Sequence, residues 1–405
     1  MINDIPMSNI SNSVSIKVFP ALDGDCLLIT YGECAKKHIL VDCGYPSTYS
    51  QLLQEELLAI EKGGQCLEKL ILTHIDSDHI SGAIPLLANG VSNLQIKEVW
   101  HNSYRHLNRV NLGEVIEKNT VNKKLLADIV QRGYRNTEHK AGEYPISSKQ
   151  GTTVGALILK GNYNWNTDFG GKAVSIDNRQ YIKIDEFSAI YLLSPDNQKL
   201  HALKRYWIRE LNKYDLSFKG SGNVNYDDAF EMLLSWEKES ISKYESKISS
   251  QTIESLSIAL PVTDKTVTNG SSIAFILEAN SKRMLFLADA HPDIIMSSIQ
   301  KYSAGKRIIF DFIKVAHHGS FSNISNELLK IVDSSIYVFS TNGSRHNHPD
   351  KETVASIISR DTAFTRKLYF NYVTKNSQFF NRLDWMRKYK YSIHYLNESN
   401  FTLKI

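Results

Sequence analysis

The feature that most constrains this chain is a short polar cluster that directly follows an apolar run. Residues 67–73, Leu-Glu-Lys-Leu-Ile-Leu-Thr, predict a buried β-strand, and the residues behind the cluster predict the first turns of a helix. Between them, His74, Asp76, Asp78 and His79 place four metal-binding side chains within six residues. A turn between a strand and a helix holds side chains rigidly, so the cluster indicates a metal site. The competing interpretation is a solvated polar turn with a capping aspartate.

The donor types in this cluster narrow the choice of metal. Histidine supplies a neutral nitrogen and aspartate a charged oxygen, and this mixture suits Zn or Mn better than an all-oxygen Mg site. We therefore expect two divalent metal ions, Zn or Mn, as cofactors.

The pattern His-x-Asp-x-Asp-His resembles the signature of the metallo-β-lactamase superfamily, in which a second His commonly replaces the middle Asp. The variant at Asp76 resembles the hydrolase domain of the DNA-uptake protein ComEC and its free-standing relatives. Three later segments follow the same family order: Ala-Asp-Ala around Asp289, His-His-Gly-Ser in residues 317–320 after an apolar strand predicted over 308–316, and Asn with His-Pro in residues 342–349. The resemblance covers roughly residues 13–100 and 265–360.

This resemblance implies an α/β (α+β) fold, a four-layer αββα sandwich in which two mixed sheets pack face to face with helices outside. The hydrolase domain is expected over residues 13–365, interrupted by an insertion at about 103–265 whose helical part is 198–247. Residues 366–405 would form C-terminal strands or an extension. The insertion has two open interpretations, a device that gates substrate or binds a partner, or a structural elaboration.

The resemblance also implies roles for individual residues. Two cations bridged by Asp289 would share a hydroxide, and Asp42 would support the site from behind. The competing interpretations are an ordinary turn residue for Asp42 and a helix cap for Asp289. The implied ligands are His74 and Asp76 for one metal, and Asp78, His79 and His348 for the other.

Two adjacent histidines, His317 and His318, compete for the remaining position on the first metal. We expect His317 to be the ligand and His318 to be free to protonate a leaving oxygen, which makes His318 and Asp78 the catalytic candidates. His101 follows a predicted strand and is a further candidate ligand, although a histidine near a tryptophan at a strand end is more often structural.

The predicted function is that of a metal-dependent hydrolase acting through a metal-bound hydroxide, with a phosphodiester in DNA or RNA as the leading substrate. A small-molecule esterase, lactonase or phosphodiesterase is the enzymatic alternative, and a metal-stabilised partner-binding module is the alternative without turnover. Turnover of nucleic acid, small phosphodiesters or lactones distinguishes them.

The charge of the chain neither demands nor excludes nucleic acid, because 47 basic residues face 43 acidic ones and the net charge is +4. Four cations in or near the insertion either hold phosphates or are solvated surface charges, and we favour the second interpretation: Arg105, Lys204, Arg205 and Lys219. The first 13 residues lack a signal-peptide core, and no apolar stretch approaches the ~18 residues that cross a bilayer. These features predict a cytoplasmic location with no membrane contact; no protein partner is indicated.

Overall fold

The computed structural model describes residues 13–32, 35–89, 91, 93–107, 153–212, 230–231, 251–396 and 401–405. Within this part of the chain the strands are β1 (Ser15–Val18), β2 (Leu27–Tyr31), β3 (Lys37–Val41), β4 (Leu67–Ile71), β5 (Val99–Trp100), β6 (Tyr181–Lys183), β7 (Ser188–Ser194), β8 (Ala274–Ala279), β9 (Lys282–Phe286), β10 (Ile308–Phe310), β11 (Phe312–Lys314), β12 (Val332–Ser334), β13 (Ile336–Phe339), β14 (Arg366–Phe370), β15 (Tyr391–Tyr395) and β16 (Thr402–Lys404).

Helices alternate with these strands. The helices and helical turns of the described residues are Pro46–Thr48, Tyr49–Leu53, Gln54–Lys62, Ser77–Ile80, Ala83–Asn89, Tyr104–Leu107, Val154–Lys160, Thr167–Phe169, Asn197–Asn212, Ile253–Ser257, Val267–Gly270, Pro292–Tyr302, Ala316–Gly319, Phe321–Asn323, Asn326–Ile331, Lys351–Ile358, Lys375–Phe379 and Leu383–Tyr389. None of them is long and apolar enough to cross a bilayer.

Two large mixed sheets form the centre of the fold. The first has the strand order β16-β1-β2-β3-β4-β5, antiparallel up to β3 and parallel from β3 to β5. The second has the order β15-β14-β13-β11-β9-β8-β7-β6, parallel from β15 to β9 and antiparallel beyond. Each sheet therefore places several strand carboxyl ends at one edge, where loops carry polar side chains.

Apolar side chains from both sheets meet in one core, which includes Ile29 and Val41 from the first sheet and Phe275, Phe286 and Val338 from the second. Two further cores cover the outer faces. One joins the first sheet to helices such as Gln54–Lys62, and the other joins the second sheet to helices such as Pro292–Tyr302. The order helix, sheet, sheet, helix confirms the predicted four-layer sandwich.

The structure corrects one predicted strand. Residues 308–316 form two short strands, because the β-strand is interrupted at Asp311. The Asp311 carboxylate accepts a hydrogen bond from the Arg283 amide at 2.9 Å. Strand β10 pairs with β12 in a small separate sheet, whereas β11 continues between β9 and β13.

The expected insertion and C-terminal extension both contribute strands to the large sheets. Strands β6 and β7 lie between residues 103 and 265 and extend the second sheet through β8, while β14, β15 and β16 come from residues 366–405. Of the helical part predicted over 198–247, the helix Asn197–Asn212 and residues 230–231 are described, and residues 213–229 and 232–250 lie outside the described residues. The domain division stays a prediction.

Candidate metal centre

The shared direction of neighbouring parallel strands brings the candidate residues of both sheets to one place. Asp42 follows β3 and residues 73–79 follow its parallel neighbour β4 in the first sheet. Asp289 follows β9, and His317 and His318 follow its parallel neighbour β11 in the second. Because neighbouring parallel strands end at the same sheet edge, segments more than 200 residues apart in sequence meet in one cluster.

Asp289 lies at the centre of this cluster. Its Oδ2 atom is 3.6 Å from the Nε2 atoms of His79 and His317, 3.7 Å from that of His74 and 3.8 Å from that of His318. Asp289 as a whole is only 2% exposed. One carboxylate thus faces four imidazoles, which is the placement that a bridging aspartate requires.

Two further carboxylates flank the centre on opposite sides. The Oδ2 atom of Asp76 lies 3.4 Å from His74 Nε2. The Oδ2 atom of Asp78 lies 3.4 Å from His318 Nε2 and 3.6 Å from His79 Nε2. The donor atoms of Asp78, His79 and His318 all lie within 4.8 Å of one another, as do those of His74, His79 and Asp289. The cluster therefore divides into two overlapping groups of donors.

On the side of the first sheet, Asp42 orients the imidazole of His79 directly and that of His74 through Thr73. Its Oδ2 atom accepts a hydrogen bond from His79 Nδ1 at 2.8 Å and another from the Thr73 hydroxyl at 2.7 Å. Because the Thr73 hydroxyl donates its proton to Asp42, its oxygen accepts a hydrogen bond from His74 Nδ1 at 3.1 Å. The structure thus places Asp42 directly behind the cluster.

On the side of the second sheet, two other acceptors have the same effect. His318 Nδ1 donates to the Ser340 carbonyl at 2.9 Å, and His317 Nδ1 donates to Asn323 Oδ1 at 2.8 Å. The Asn323 amide nitrogen donates to Asp264 at 3.0 Å, which fixes the amide orientation. In their neutral form, all four imidazoles therefore carry the proton on Nδ1 and present the lone pair of Nε2 to the centre.

Three of these Nε2 lone pairs meet no donor from the described residues. Within the described part of the chain, the buried Nε2 atoms of His74, His79 and His318 and the Oδ1 atom of Asp289 have no hydrogen-bond partner. Two donors on a tetrahedral zinc ion at ~2.0–2.1 Å lie about 3.3 Å apart, close to the separations observed here. Orphaned acceptors at this spacing fit divalent cations, because a cation satisfies all of them at once.

The same electrostatics shift the pKa values of the cluster. Burial opposes the charged form of Asp289, yet His317, His79 and His318 hold the pKa of its carboxyl well below the ordinary value. Burial also opposes protonation of His79, but Asp289, Asp78 and Asp42 raise the pKa of its imidazole well above the ordinary value. The raised pKa of His79 expresses a concentration of negative charge that favours a bound cation, and the lowered pKa of Asp289 keeps its carboxylate ionised and able to bind one.

The backbone supports the cluster with unusual geometry. Asp42, Ala288, His317 and His318 have φ values of 54°, 45°, 42° and 56°. Left-handed backbone at a residue other than glycine costs of order 1–3 kcal/mol and persists only where surrounding contacts impose it. Four such residues at one site indicate a geometry that is retained for function.

The roles of His348 and His101 as ligands stay predictions. His348 Nδ1 lies 3.2 Å from Asp350 Oδ1, and its ring centre is 5.7 Å from that of His317. His348 also interacts electrostatically with both His317 and His318. His101 Nε2 lies 3.1 Å from Glu231.

The cations singled out in the insertion have varied surroundings. The Arg105 guanidinium lies 4.9 Å from the Trp165 ring centre, Lys204 is buried and Arg205 is exposed. Lys219 lies outside the described residues.

Sequence reasoning missed a buried ion pair beside the cluster. Lys314 Nζ lies 2.6 Å from Asp25 Oδ2, and Asp25 Oδ1 lies 3.7 Å from His318 Nδ1. A lysine inside the apolar run 308–316 is the signal that points to it, because a lysine in such a run requires a buried acidic partner. Asn323 gave no comparable signal.

Comparison with known proteins agrees with this centre. Residues 20–105 match the family model described as Metallo-beta-lactamase superfamily. This segment is similar to metallo-β-lactamase superfamily domains. It includes Asp42 and all of residues 73–79, so the match and the donor cluster together support a metal-dependent hydrolase.

The other comparisons add little. A search of curated proteins gave no match. Among solved structures, the chain is similar to the long form of RNase Z from yeast, with 13% identity and a TM-score of 0.31, over 82% of this chain and 36% of that one. The chain thus spans about a third of the length of that protein.

Proposed function

We propose that the chain is a dinuclear metal-dependent phosphodiesterase whose substrate is DNA or RNA. The observation that carries the proposal is the convergence of four imidazole Nε2 atoms on the Asp289 carboxylate. Bound divalent ions would activate a water molecule for attack and neutralise the charge that gathers on the phosphoryl oxygens.

The division of the cluster suggests how two ions would be held. Asp289 would contact both, and His79 is the donor shared by the two overlapping groups. We assign His74, Asp76 and His317 to the first ion, and Asp78, His79 and His318 to the second. Because His318 Nε2 is a buried lone pair 3.4 Å from Asp78, we now favour ligation over proton donation for this residue.

His348 is better suited to moving a proton. Its Nδ1 atom is oriented by Asp350, and its side chain is 12% exposed, whereas that of His318 is 6% exposed. A partly accessible imidazole at the rim, beside His317, is placed to protonate a departing oxygen.

The motifs support a phosphodiester over a lactam or lactone. Asp76 in the central motif, His-His-Gly-Ser at 317–320 and the closing His348 resemble the ComEC type, and this finer resemblance remains part of the proposal. Arg345 adds a cation at the rim, since its Nη1 atom lies 3.9 Å from Asp23, whose carboxylate interacts electrostatically with Asp78. A guanidinium in this position fits a phosphate oxygen.

The proposal predicts metal-dependent cleavage of nucleic acid. Zn- or Mn-loaded protein is incubated with single- and double-stranded DNA and RNA, with bis-(p-nitrophenyl) phosphate, and with lactone and thioester substrates. We expect phosphodiester cleavage that a chelator abolishes and added metal restores. Turnover confined to lactones or thioesters would instead identify an esterase of the same fold, and bound metal without any turnover would favour a partner-binding module.

A second prediction separates the roles of His318 and His348. We expect His318→Ala to lower the metal content and the activity together, because a ligand is lost. We expect His348→Ala to keep both ions while kcat falls roughly 10²–10⁴-fold and KM changes little. Metal content by elemental analysis and kcat on the small phosphodiester are measured for both variants. Normal metal content in His318→Ala would return that residue to the role of proton donor.

A further inference from the structure

The positive charge of the chain is concentrated near its C-terminus. Residues 366–396 contain seven Lys or Arg residues and one Asp, although the whole chain carries a net charge of only +4. Arg366 is buried against Asp333, and the other six cations are exposed. The same residues include nine aromatic side chains. Cations interleaved with aromatic rings are typical of surfaces that bind single-stranded nucleic acid.

The cations and rings of this region are in direct contact. The Arg382 guanidinium lies 4.2 Å from the Trp385 ring centre, and Lys351 Nζ lies 4.1 Å from that of Phe379. The Phe379 and Trp385 ring centres are 5.3 Å apart. Leu383, at the start of the same helix, is 72% exposed. These contacts define two neighbouring, partly exposed rings, Phe379 and Trp385, edged by positive charge.

Surface ion pairs leave these cations available. Arg382 pairs with Asp384, and Lys388 pairs with Glu254. All four side chains in these pairs are at least 51% exposed, and such pairs are worth only about 0–1 kcal/mol. A phosphate backbone can therefore compete for both cations at little cost.

This region is fastened to the loop that carries His348. The Asn376 side-chain nitrogen donates to the carbonyls of Asn347 at 2.7 Å and Pro349 at 3.1 Å. Lys351 directly follows Asp350, which holds His348. The two rings therefore belong to a segment that is hydrogen-bonded to the loop carrying His348.

We propose that this surface binds the single-stranded nucleic acid that flanks the bond cleaved at the metal centre, an inference that rests on the proposed function. We define the aromatic-basic surface by Lys351, Lys375, Phe379, Arg382, Trp385 and Lys388. Partly exposed rings favour a single strand over a duplex, because only unpaired bases can stack on them. The cations would follow the phosphates, and Trp385 would stack on a base.

The first test measures binding to a phosphorothioate oligonucleotide, which keeps its charge and resists cleavage. Metal-loaded protein is titrated against a labelled single strand about 16 nucleotides long, and the anisotropy gives Kd. We expect Trp385→Ala to raise Kd about tenfold and Trp385→Phe to restore most of the affinity, since the phenyl ring still stacks. Lys330→Ala is the matched control, because this exposed lysine also pairs with an exposed glutamate, and we expect it to leave Kd unchanged.

A second variant tests the charges and does not alter the packed rings. Arg382→Ala/Lys388→Ala should weaken binding and reduce the slope of log Kd against log salt by about 1.4, the value for two lost phosphate contacts on a single strand. Turnover of bis-(p-nitrophenyl) phosphate should stay within about twofold of the parent, because this substrate is too small to reach the surface.

Distinct outcomes separate this proposal from the proposed function. Unchanged Kd and salt slope in Trp385→Ala and in the double variant, with cleavage intact, would remove the surface and leave the nuclease. Tight binding that the variants lose, without cleavage by the parent, would retain the surface and remove the nuclease. If anionic phospholipid vesicles bind through the same residues and the oligonucleotide does not bind, the surface is a membrane contact and the proposal is wrong.

Discussion

Replacing Asp289 by Ala is expected to lower the occupancy of both metal positions at once. Its Oδ2 atom lies within 3.8 Å of four imidazole Nε2 atoms, so no other carboxylate of the described residues occupies an equivalent central place. Loss of a residue that orients a metal ligand already weakens metal affinity 10–100-fold. We therefore expect Asp289→Ala to lower the metal affinity by at least about 100-fold and to lower the activity in parallel.

Elemental analysis after reconstitution with Zn or Mn and dialysis measures this effect. Asp293→Ala is the matched control, because Asp293 lies four residues later, its side chain is 65% exposed, and it pairs with Lys199 outside the cluster. The control should retain both ions. Two ions in the Asp289→Ala protein would exclude a bridging role, and one retained ion would assign Asp289 to a single metal. Circular dichroism of each variant confirms that the fold is intact.

The local part of the centre could be predicted from sequence, because its members are adjacent in the chain. The segment 73–79 follows a recognisable strand, and its side chains meet at a single turn. Asp42 was placed behind the metals only through the family resemblance. Asp42 lies behind the cluster because β3 and β4 pair in parallel, which sets Asp42 beside Thr73. The Thr73 amide donates a hydrogen bond to Asp42 Oδ1 at 2.8 Å.

The long-range part could not be predicted in the same way. His317 and His318 were named as a pair, but which Nε2 faces which carboxylate depends on the left-handed backbone at both residues. Histidine is enriched among residues with positive φ, but such backbone is uncommon for every residue other than glycine, so the residue type alone does not predict it. The position of His348 likewise depends on how the loop 342–349 packs, and no pattern of residue types encodes that packing.

The sandwich fold was expected from the family resemblance, and the pattern of strands and helices in the sequence is consistent with it. Alternating and apolar runs specify strands and their buried faces, and small errors at strand ends leave the sheets unchanged. The break at Asp311 was missed because the apolar residues on either side read as one strand. A single residue there moves β10 into a separate sheet while β11 still positions His317 and His318.

The second large effect is expected from Lys314→Met, which removes one member of a buried ion pair. Lys314 and Asp25 are 1% and 2% exposed, and their charged atoms lie 2.6 Å apart. Although burial disfavours the charged form of Asp25, Lys314 together with His318 and His79 lowers the pKa of its carboxyl. The variant would leave that carboxylate buried without its main partner. Breaking such a pair costs about 3–5 kcal/mol, so we expect the free energy of unfolding to fall by that amount.

Denaturant unfolding of metal-free protein measures the effect without a contribution from metal binding. Lys282→Met is the matched control, because Lys282 pairs with Asp311 at 3.4 Å with both side chains about one third exposed, and such a pair contributes about 0–1 kcal/mol. The double variant Asp25→Asn/Lys314→Met should recover most of the loss, since the uncompensated charge is gone. If the double variant is as unstable as Lys314→Met alone, the lost hydrogen bonds of the ammonium, which also donates to the Val315 carbonyl at 3.2 Å, and not the uncompensated charge, account for the loss. Recovery of stability together with weaker metal binding would show that the Asp25 charge, 3.7 Å from His318, also supports the centre.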